Sequence, residues 1–416
     1  MRNARRWITD SSLSLPQGTS RQAGRKLRVW VGARWFPIIC AAVVFARLSY
    51  DDFELSYDYA FYKRFILELS YTTFSNFQTN AWENAPYYSV AIQEGFYNFY
   101  LSFEIGFAVL CFALAQIIPT SAILPILAAS SIYAKILALR RFGVHMAILS
   151  GLFVFFIAML ETNALRAGIS QSIAVVGLLV AARSGRLWPL LVAATIAATF
   201  HLSSLAVTLV LCGSWIFFRQ FGVSVRSFRI LALVTLLLGV SFSVPWIANY
   251  FSRVDVYARL EESSGSPWLK MLPLLSVILS GFAVWCSERL IRERRRQVRH
   301  THMQRFTMPA TVPVAASCAV IVFLFGTTLY VFNSMPVLSA RVWQMTVPFG
   351  FLPCALAIRW RVLNPRERQI VWAVLALVAC AFIYQFMFRH VLTNFFSPLI
   401  GHQDLDLGQC ASGLCE

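Results

Sequence analysis

Arg166 and His201 are set in surroundings that do not fit their chemistry. Arg166 stands in Glu161-Thr-Asn-Ala-Leu-Arg166-Ala-Gly-Ile-Ser-Gln171-Ser172 and His201 in Phe200-His201-Leu202-Ser203-Ser204, both within apolar stretches. A cation or an imidazole inside membrane-spanning sequence costs several kcal/mol unless it meets water or a partner, which makes each a functional candidate. A guanidinium with Thr162, Asn163, Ser170 and Gln171 about one helical turn away can grip a phosphate or diphosphate by paired hydrogen bonds. A neutral imidazole can take a proton from a sugar hydroxyl near neutral pH, or donate one to a phosphate oxygen. The plainer alternatives are an arginine snorkelling to the headgroups and a packing histidine bonded to a backbone carbonyl.

Three further segments carry the same kind of chemistry more weakly. Asp58 lies in Tyr57-Asp58-Tyr59-Ala-Phe-Tyr62, where aromatic rings such as Tyr62 can cover the apolar face of a sugar while the acid bonds its hydroxyls or acts as a general base. Glu94 in Glu94-Gly95-Phe96-Tyr97 and Arg341 in Ser339-Ala-Arg341-Val-Trp343 complete the candidates. No Walker or metal-ligand spacing accompanies them, so neither a metal nor a cofactor is expected.

The elements that position these residues follow from composition. The 416 residues are 58% hydrophobic and 13% charged, too little charge for a soluble domain of this length. The expected fold class is an all-α polytopic membrane protein of about 11 transmembrane helices, with a large extracytoplasmic loop after the first span. The net charge of +17 raises nucleic acid as a partner, but the basic residues are mostly arginines in short segments between apolar runs. That is the positive-inside pattern, which favours a membrane over nucleic acid.

Taking about 20 apolar residues as one crossing, spans are expected near 35 to 50, 121 to 139, 144 to 160, 165 to 182, 188 to 201, 202 to 218, 230 to 248, 268 to 286, 312 to 332, 345 to 358 and 369 to 388. Residues 1–34 form a basic cytoplasmic N-terminus, and the first span is expected to stay uncleaved, since Asp51, Asp52 and Phe53 follow it instead of a small-residue cleavage site. The polytopic domain covers 35–388, with 51–100 as an extracytoplasmic loop and 287–311 as a basic cytoplasmic loop; 389–416 form an extracytoplasmic tail. Residues 101 to 118 are apolar too, yet a full span there would put Arg140 and Arg141 outside, so a re-entrant or interfacial segment ending at Pro119 is expected. Residues 188 to 218 read as a tight hairpin with His201 near its outer turn. In this arrangement Asp58, Arg166, His201 and Arg341 converge on the outer membrane-water boundary from four separate segments. Seven of the nine cysteines lie in or beside apolar runs; Cys410 and Cys415 in the polar tail read either as a disulfide or as free thiols.

Asp58-Tyr59-Ala-Phe-Tyr62, Glu94-Gly95-Phe96, Leu165-Arg166-Ala-Gly-Ile-Ser-Gln-Ser-Ile-Ala174, Phe200-His201-Leu-Ser-Ser-Leu205 and Ser339-Ala-Arg341, in this order, resemble the EpsG-type branch of the Wzy polysaccharide polymerases. The resemblance implies a multi-span protein of the bacterial inner membrane that joins oligosaccharide repeat units carried on undecaprenyl diphosphate, working at the outer face. It implies that Arg166 holds the lipid diphosphate, with His201 and Arg341 beside it, and that a chain-length regulator and a flippase of the same pathway are partners. Family members commonly have Gln directly after the Arg; here that position is Ala167, with Gln171 one turn later. The reaction expected is a metal-independent glycosyl transfer. Two rivals use similar features: another lipid-dependent transferase or ligase, which adds one unit or one preformed chain, and a flippase, which needs a cationic path through the membrane.

Overall fold

The computed structural model describes residues 35–46, 48–49, 57–94, 97–156, 164–242, 271–299, 308–332 and 336–386. The basic N-terminus, the C-terminal tail with Cys410 and Cys415, and Thr162 and Asn163 lie outside these residues. The described helices, in chain order, begin with α1 (Trp35–Ala46), α2 (Tyr57–Tyr71) and α3 (Phe74–Glu83), and a hairpin follows of β1 (Tyr87–Glu94) and β2 (Tyr97–Glu104). Then come α4 (Ile105–Ala115), α5 (Thr120–Phe142), α6 (Met146–Phe156), α7 (Leu165–Ser184), α8 (Trp188–Phe200), α9 (Ser204–Phe221) and α10 (Val225–Phe242). The last four are α11 (Met271–Arg299), α12 (Thr311–Phe332), α13 (Pro336–Arg359) and α14 (Pro365–Phe386).

Each expected crossing coincides with one of these helices. Five of them, α5, α7, α9, α12 and the segment Pro273–Val298 of α11, are long and apolar enough to cross a membrane. Two features depart from the expected layout. The region after the first span is built of two helices and an antiparallel hairpin in which Tyr87 pairs with Glu104 and Glu94 with Tyr97, so the fold is not purely helical. The stretch read as a basic loop from 287 begins as helix, because α11 runs unbroken to Arg299. Its 29 residues reach about 44 Å at 1.5 Å per residue, beyond a hydrocarbon core of about 30 Å. Leu290 and Ile291 stay buried on one side of the extension, and Arg292 pairs with Glu288 one turn back at 2.7 Å, which keeps a charged segment helical. By contrast the 11 residues of α4 reach only about 16 Å, half of that core.

Helix ends follow local chemistry. Gly143, at φ 96°, takes the left-handed conformation that ends α5, its N–H bonded to the carbonyl of Arg140, with Arg140 and Arg141 at the negative end of the helix dipole. Pro189 sits in the first turn of α8, where its missing N–H costs nothing. The centre of the bundle is α12, apolar on all sides and buried along nearly its whole length, packed against α9, α10, α11 and α13. Gly326 lets α13 come close, since a methyl group there would lie 2.2 Å from Thr346 Oγ1.

A polar knot ties α5, α6, α7 and α13 together inside this apolar bundle. Lys135 of α5 is fully buried, donates to Gln171 Oε1 of α7 at 3.1 Å and lies 4.5 Å from the centre of the Phe156 ring of α6. Gln171 Nε2 in turn donates to the carbonyls of Gln344 and Met345 of α13, both at 3.0 Å. The first of these carbonyls has a defined reason to need a donor: its ordinary helical partner is the N–H four residues on, and that residue is Pro348. One amide therefore satisfies a buried ammonium and a proline-orphaned carbonyl at once. Gln171→Leu, which removes all three bonds, is expected to destabilise the protein by about 1–3 kcal/mol, read as the loss in unfolding free energy in detergent.

Candidate active site

The hairpin ends where the next helix begins, and Glu104 occupies that junction as the residue preceding α4. Its placement is set by the aromatic floor beneath it. Phe65 of α2 packs edge-on against Phe103 at 4.4 Å, and Phe77 of α3 stacks on Tyr88 at 4.6 Å and on Phe112 of α4 at 4.3 Å. Such pairs add about 0.5–1.5 kcal/mol each beyond simple burial and pin the hairpin base to three helices. The junction can then reach α8, because Gly106 lets α4 touch its last turn; a methyl group at Gly106 would lie 2.4 Å from Thr199 Oγ1.

Three chain segments meet at Glu104. Its Oε2 pairs with Arg166 Nη1 at the start of α7. Its Oε1 lies 3.2 Å from His201 Nδ1 and accepts the Leu202 N–H at 3.2 Å. His201 and Leu202 form the turn between α8 and α9, where the Ser204 N–H returns to the His201 carbonyl at 2.9 Å. The Arg166 guanidinium lies over the Phe103 ring, 4.5 Å from its centre, and its Nε donates to the Tyr62 hydroxyl at 3.4 Å.

Burial pushes the Glu104 carboxyl up, but the His201 hydrogen bond and the Arg166 charge outweigh it and hold the group at about 2. An ionised carboxylate only accepts, so the His201 Nδ1 facing it carries the proton and Nε2 is left as the acceptor. That Nε2 is buried and, among the described residues, has no hydrogen-bond partner. Burial lowers the affinity of His201 for a proton below the ordinary imidazole value; Glu104 opposes this, and the charges of Arg166 and Arg341 reinforce it. A neutral imidazole oriented by a carboxylate, its outer nitrogen unoccupied, has the arrangement of a general base.

Of the residues singled out from the sequence, Tyr62, Arg166 and His201 come together, and the charge of Arg341 of α13 reaches His201. Gln171 does not join them; its amide is committed to the Lys135 knot. Glu94 pairs with Tyr97 at the hairpin tip, seven residue steps along β2 from Glu104, about 23 Å at the usual strand rise. Asp58 belongs to the first turn of α2, one helical turn before Tyr62, and its side chain lies outside the described residues. Glu104 is the residue that sequence reasoning passed over. The signal was there: it is the sole acid between Glu94 and Glu161, at the head of an apolar run. Among the described residues no cluster of three or more His, Cys, Asp or Glu residues has the form of a metal site.

The sequence pattern of the EpsG family matches residues 38–400, most of the chain. The chain belongs to the EpsG family. Membership assigns it a polysaccharide-polymerase type of role, glycosyltransferase-like in chemistry, in a multi-pass membrane protein. No curated protein and no solved structure matches it significantly.

Glu104 and Arg166 are mostly buried, at 8% and 21% side-chain exposure. Glu104→Ala leaves the guanidinium without its carboxylate and is expected to cost about 3–5 kcal/mol. The Glu104 contribution has a definite sign with pH. Because the folded carboxyl titrates near 2 and an ordinary one near 4.3, the stabilisation is complete above about pH 5 and is lost as pH falls toward 2. Unfolding midpoints of wild type and Glu104→Gln in detergent are expected to differ at neutral pH and to converge on acidification.

Proposed function

We propose that this protein polymerises undecaprenyl-diphosphate-linked oligosaccharide repeat units into exopolysaccharide or O-antigen at the outer face of the bacterial inner membrane. The reading rests on EpsG membership together with one observation: the Glu104–His201 pair that leaves His201 Nε2 as an unoccupied acceptor.

In the reaction, a hydroxyl oxygen of the acceptor unit attacks the anomeric carbon of the donor sugar. The new carbon-oxygen bond forms as the bond to the diphosphate oxygen breaks. The hydroxyl proton passes to His201 Nε2, and the diphosphate leaves with the bonding electrons. Glu104 fixes the imidazole tautomer and stabilises the imidazolium that forms, as an orienting carboxylate does beside a catalytic histidine. Arg166 holds Glu104 in place and, with two of its N–H groups used on Glu104 and Tyr62, keeps further donors for a phosphate oxygen. The positive charge of Arg341, which reaches His201, adds to that of Arg166 in favouring the departing diphosphate. Tyr62 and Phe103, both buried, hold the Arg166 guanidinium in place and leave no ring face for a sugar. A divalent ion is not required by this scheme; loss of activity on adding chelator, restored by a divalent cation, would overturn that part.

Complementation of a deletion strain tests the reading. His201→Asn and Arg166→Lys are expected to abolish long surface glycan, with single repeat units accumulating on the outer face. Units trapped on the inner face instead indicate a flippase, and one added unit or preformed chain per acceptor indicates a ligase or simple transferase. Unchanged glycan in both variants sinks the assignment of these residues. In vitro, the acid limb of the pH-rate profile is expected below about 6.5, the ordinary imidazole value, because burial keeps His201 neutral to lower pH.

A further inference from the structure

The end of the bundle opposite Glu104 holds a second concave site. α9 starts beside His201 and runs away from it, so Trp215 and Arg219 lie about 16 and 22 Å along its axis from Ser204. There α9, α11 and the start of α12 enclose a cavity of about 340 Å³. Arg219, Arg294 and Arg295 stand around it, over a wall that includes Phe218, Ile291 and Val314.

Ion pairing sets these arginines apart from their neighbours. At the same end of the molecule Arg229 and Arg292 both pair with Glu288, and Arg289 pairs with Glu367. Among the described residues Arg219, Arg294 and Arg295 have no carboxylate partner, although they share one cavity. A second observation points to a missing ligand: Trp215 lines the cavity and is 1% exposed, and its indole Nε1 is buried with no hydrogen-bond partner among the described residues. An unsatisfied buried donor carries a penalty that an acceptor ligand would remove. The N-terminus of α12, with Thr311 at the cavity wall, adds the positive end of a helix dipole.

We propose that this cavity binds the phosphate headgroup of an anionic membrane lipid in the leaflet at the basic end of the bundle. The three guanidinium groups neutralise the phosphate, and the Trp215 indole donates to one of its oxygens. The acyl chains lie along the apolar flank of α9, where Leu205, Leu209 and Ile216 are exposed. A soluble anion would use the arginines but not this flank, which is why a lipid is the favoured source. The basic end faces the cytoplasm by the distribution of arginines, where anionic lipid is attracted to such clusters. This site is independent of the polymerase reading.

The test uses the full-length protein in detergent, titrated with phosphatidylglycerol, phosphatidylcholine or inorganic pyrophosphate, with binding read by native mass spectrometry and by the unfolding midpoint. Phosphatidylglycerol is expected to bind and to raise the midpoint, phosphatidylcholine to do neither. The triple variant Arg219→Gln, Arg294→Gln, Arg295→Gln is expected to weaken phosphatidylglycerol binding at least about tenfold. The corresponding triple Lys variant, which keeps the charge, is expected to retain it and so separates loss of the site from loss of the fold. Arg226→Gln, Arg296→Gln and Arg361→Gln together remove equal charge outside the cavity. An equal loss in that control overturns a defined site in favour of general surface charge. Stabilisation by pyrophosphate but not by phosphatidylglycerol overturns the lipid and makes a soluble diphosphate the ligand.

Discussion

A carboxylate that must not be left alone organises the site half of this molecule. Glu104 is ionised and mostly buried, and a buried charge is tolerated only when paired and hydrogen-bonded. Its two oxygens are satisfied by a guanidinium from α7, an imidazole from the α8–α9 turn and the backbone N–H of Leu202. Three segments that are remote in sequence are therefore held to one point. The aromatic floor and Gly106 make the approach sterically feasible, but neither would specify a single arrangement as the charge does. The same contacts prepare the chemistry, since whatever fixes Glu104 also fixes the tautomer and direction of His201.

The second buried polar centre, around Lys135 and Gln171, explains how α7 serves two purposes. Arg166 and Gln171 are five residues apart, which separates them by about 140° around the helix axis at 3.6 residues per turn. One faces the hairpin and the other faces α5 and α13. The helix is thereby locked on one side to the body of the bundle while its first turn presents Arg166 on the other. A rigid support of this kind is what a positioning residue needs, because small displacements at a reacting centre are costly.

At the opposite end the arginines divide into two populations. Some are neutralised in pairs with Glu288 and Glu367 and hold α10, α11 and α14 to one another. Others surround a cavity and have no acidic partner among the described residues. A charge rule that counts arginines to orient a membrane protein treats both groups alike, yet only the unpaired group retains electrostatic potential for an external anion. At the site end, by contrast, Glu104 restrains an arginine from inside the apolar region.

Much of this protein was legible in its sequence. Low charge, long apolar runs and arginine-rich connections determined a polytopic helical protein, since a bilayer admits few other ways to satisfy backbone groups. The turn at His201 followed from basic flanks on both sides of 188 to 218, and Arg166 and His201 were marked by the cost of polar groups in apolar sequence. What the sequence could not supply was pairing and phase. Glu104 was hidden because its partners lie 62 and 97 residues away, and no local spacing reports so distant a contact. Gln171 was assigned to the wrong side of α7 because proximity along a helix does not say which neighbour each face meets. The hairpin escaped notice because its strands are recognised by each other and by the aromatic floor, not by a pattern that differs from an apolar helix. Local rules of solvation fixed which residues were unusual; only the tertiary structure decided what each of them touches, because burial makes a charge depend on its partner in space.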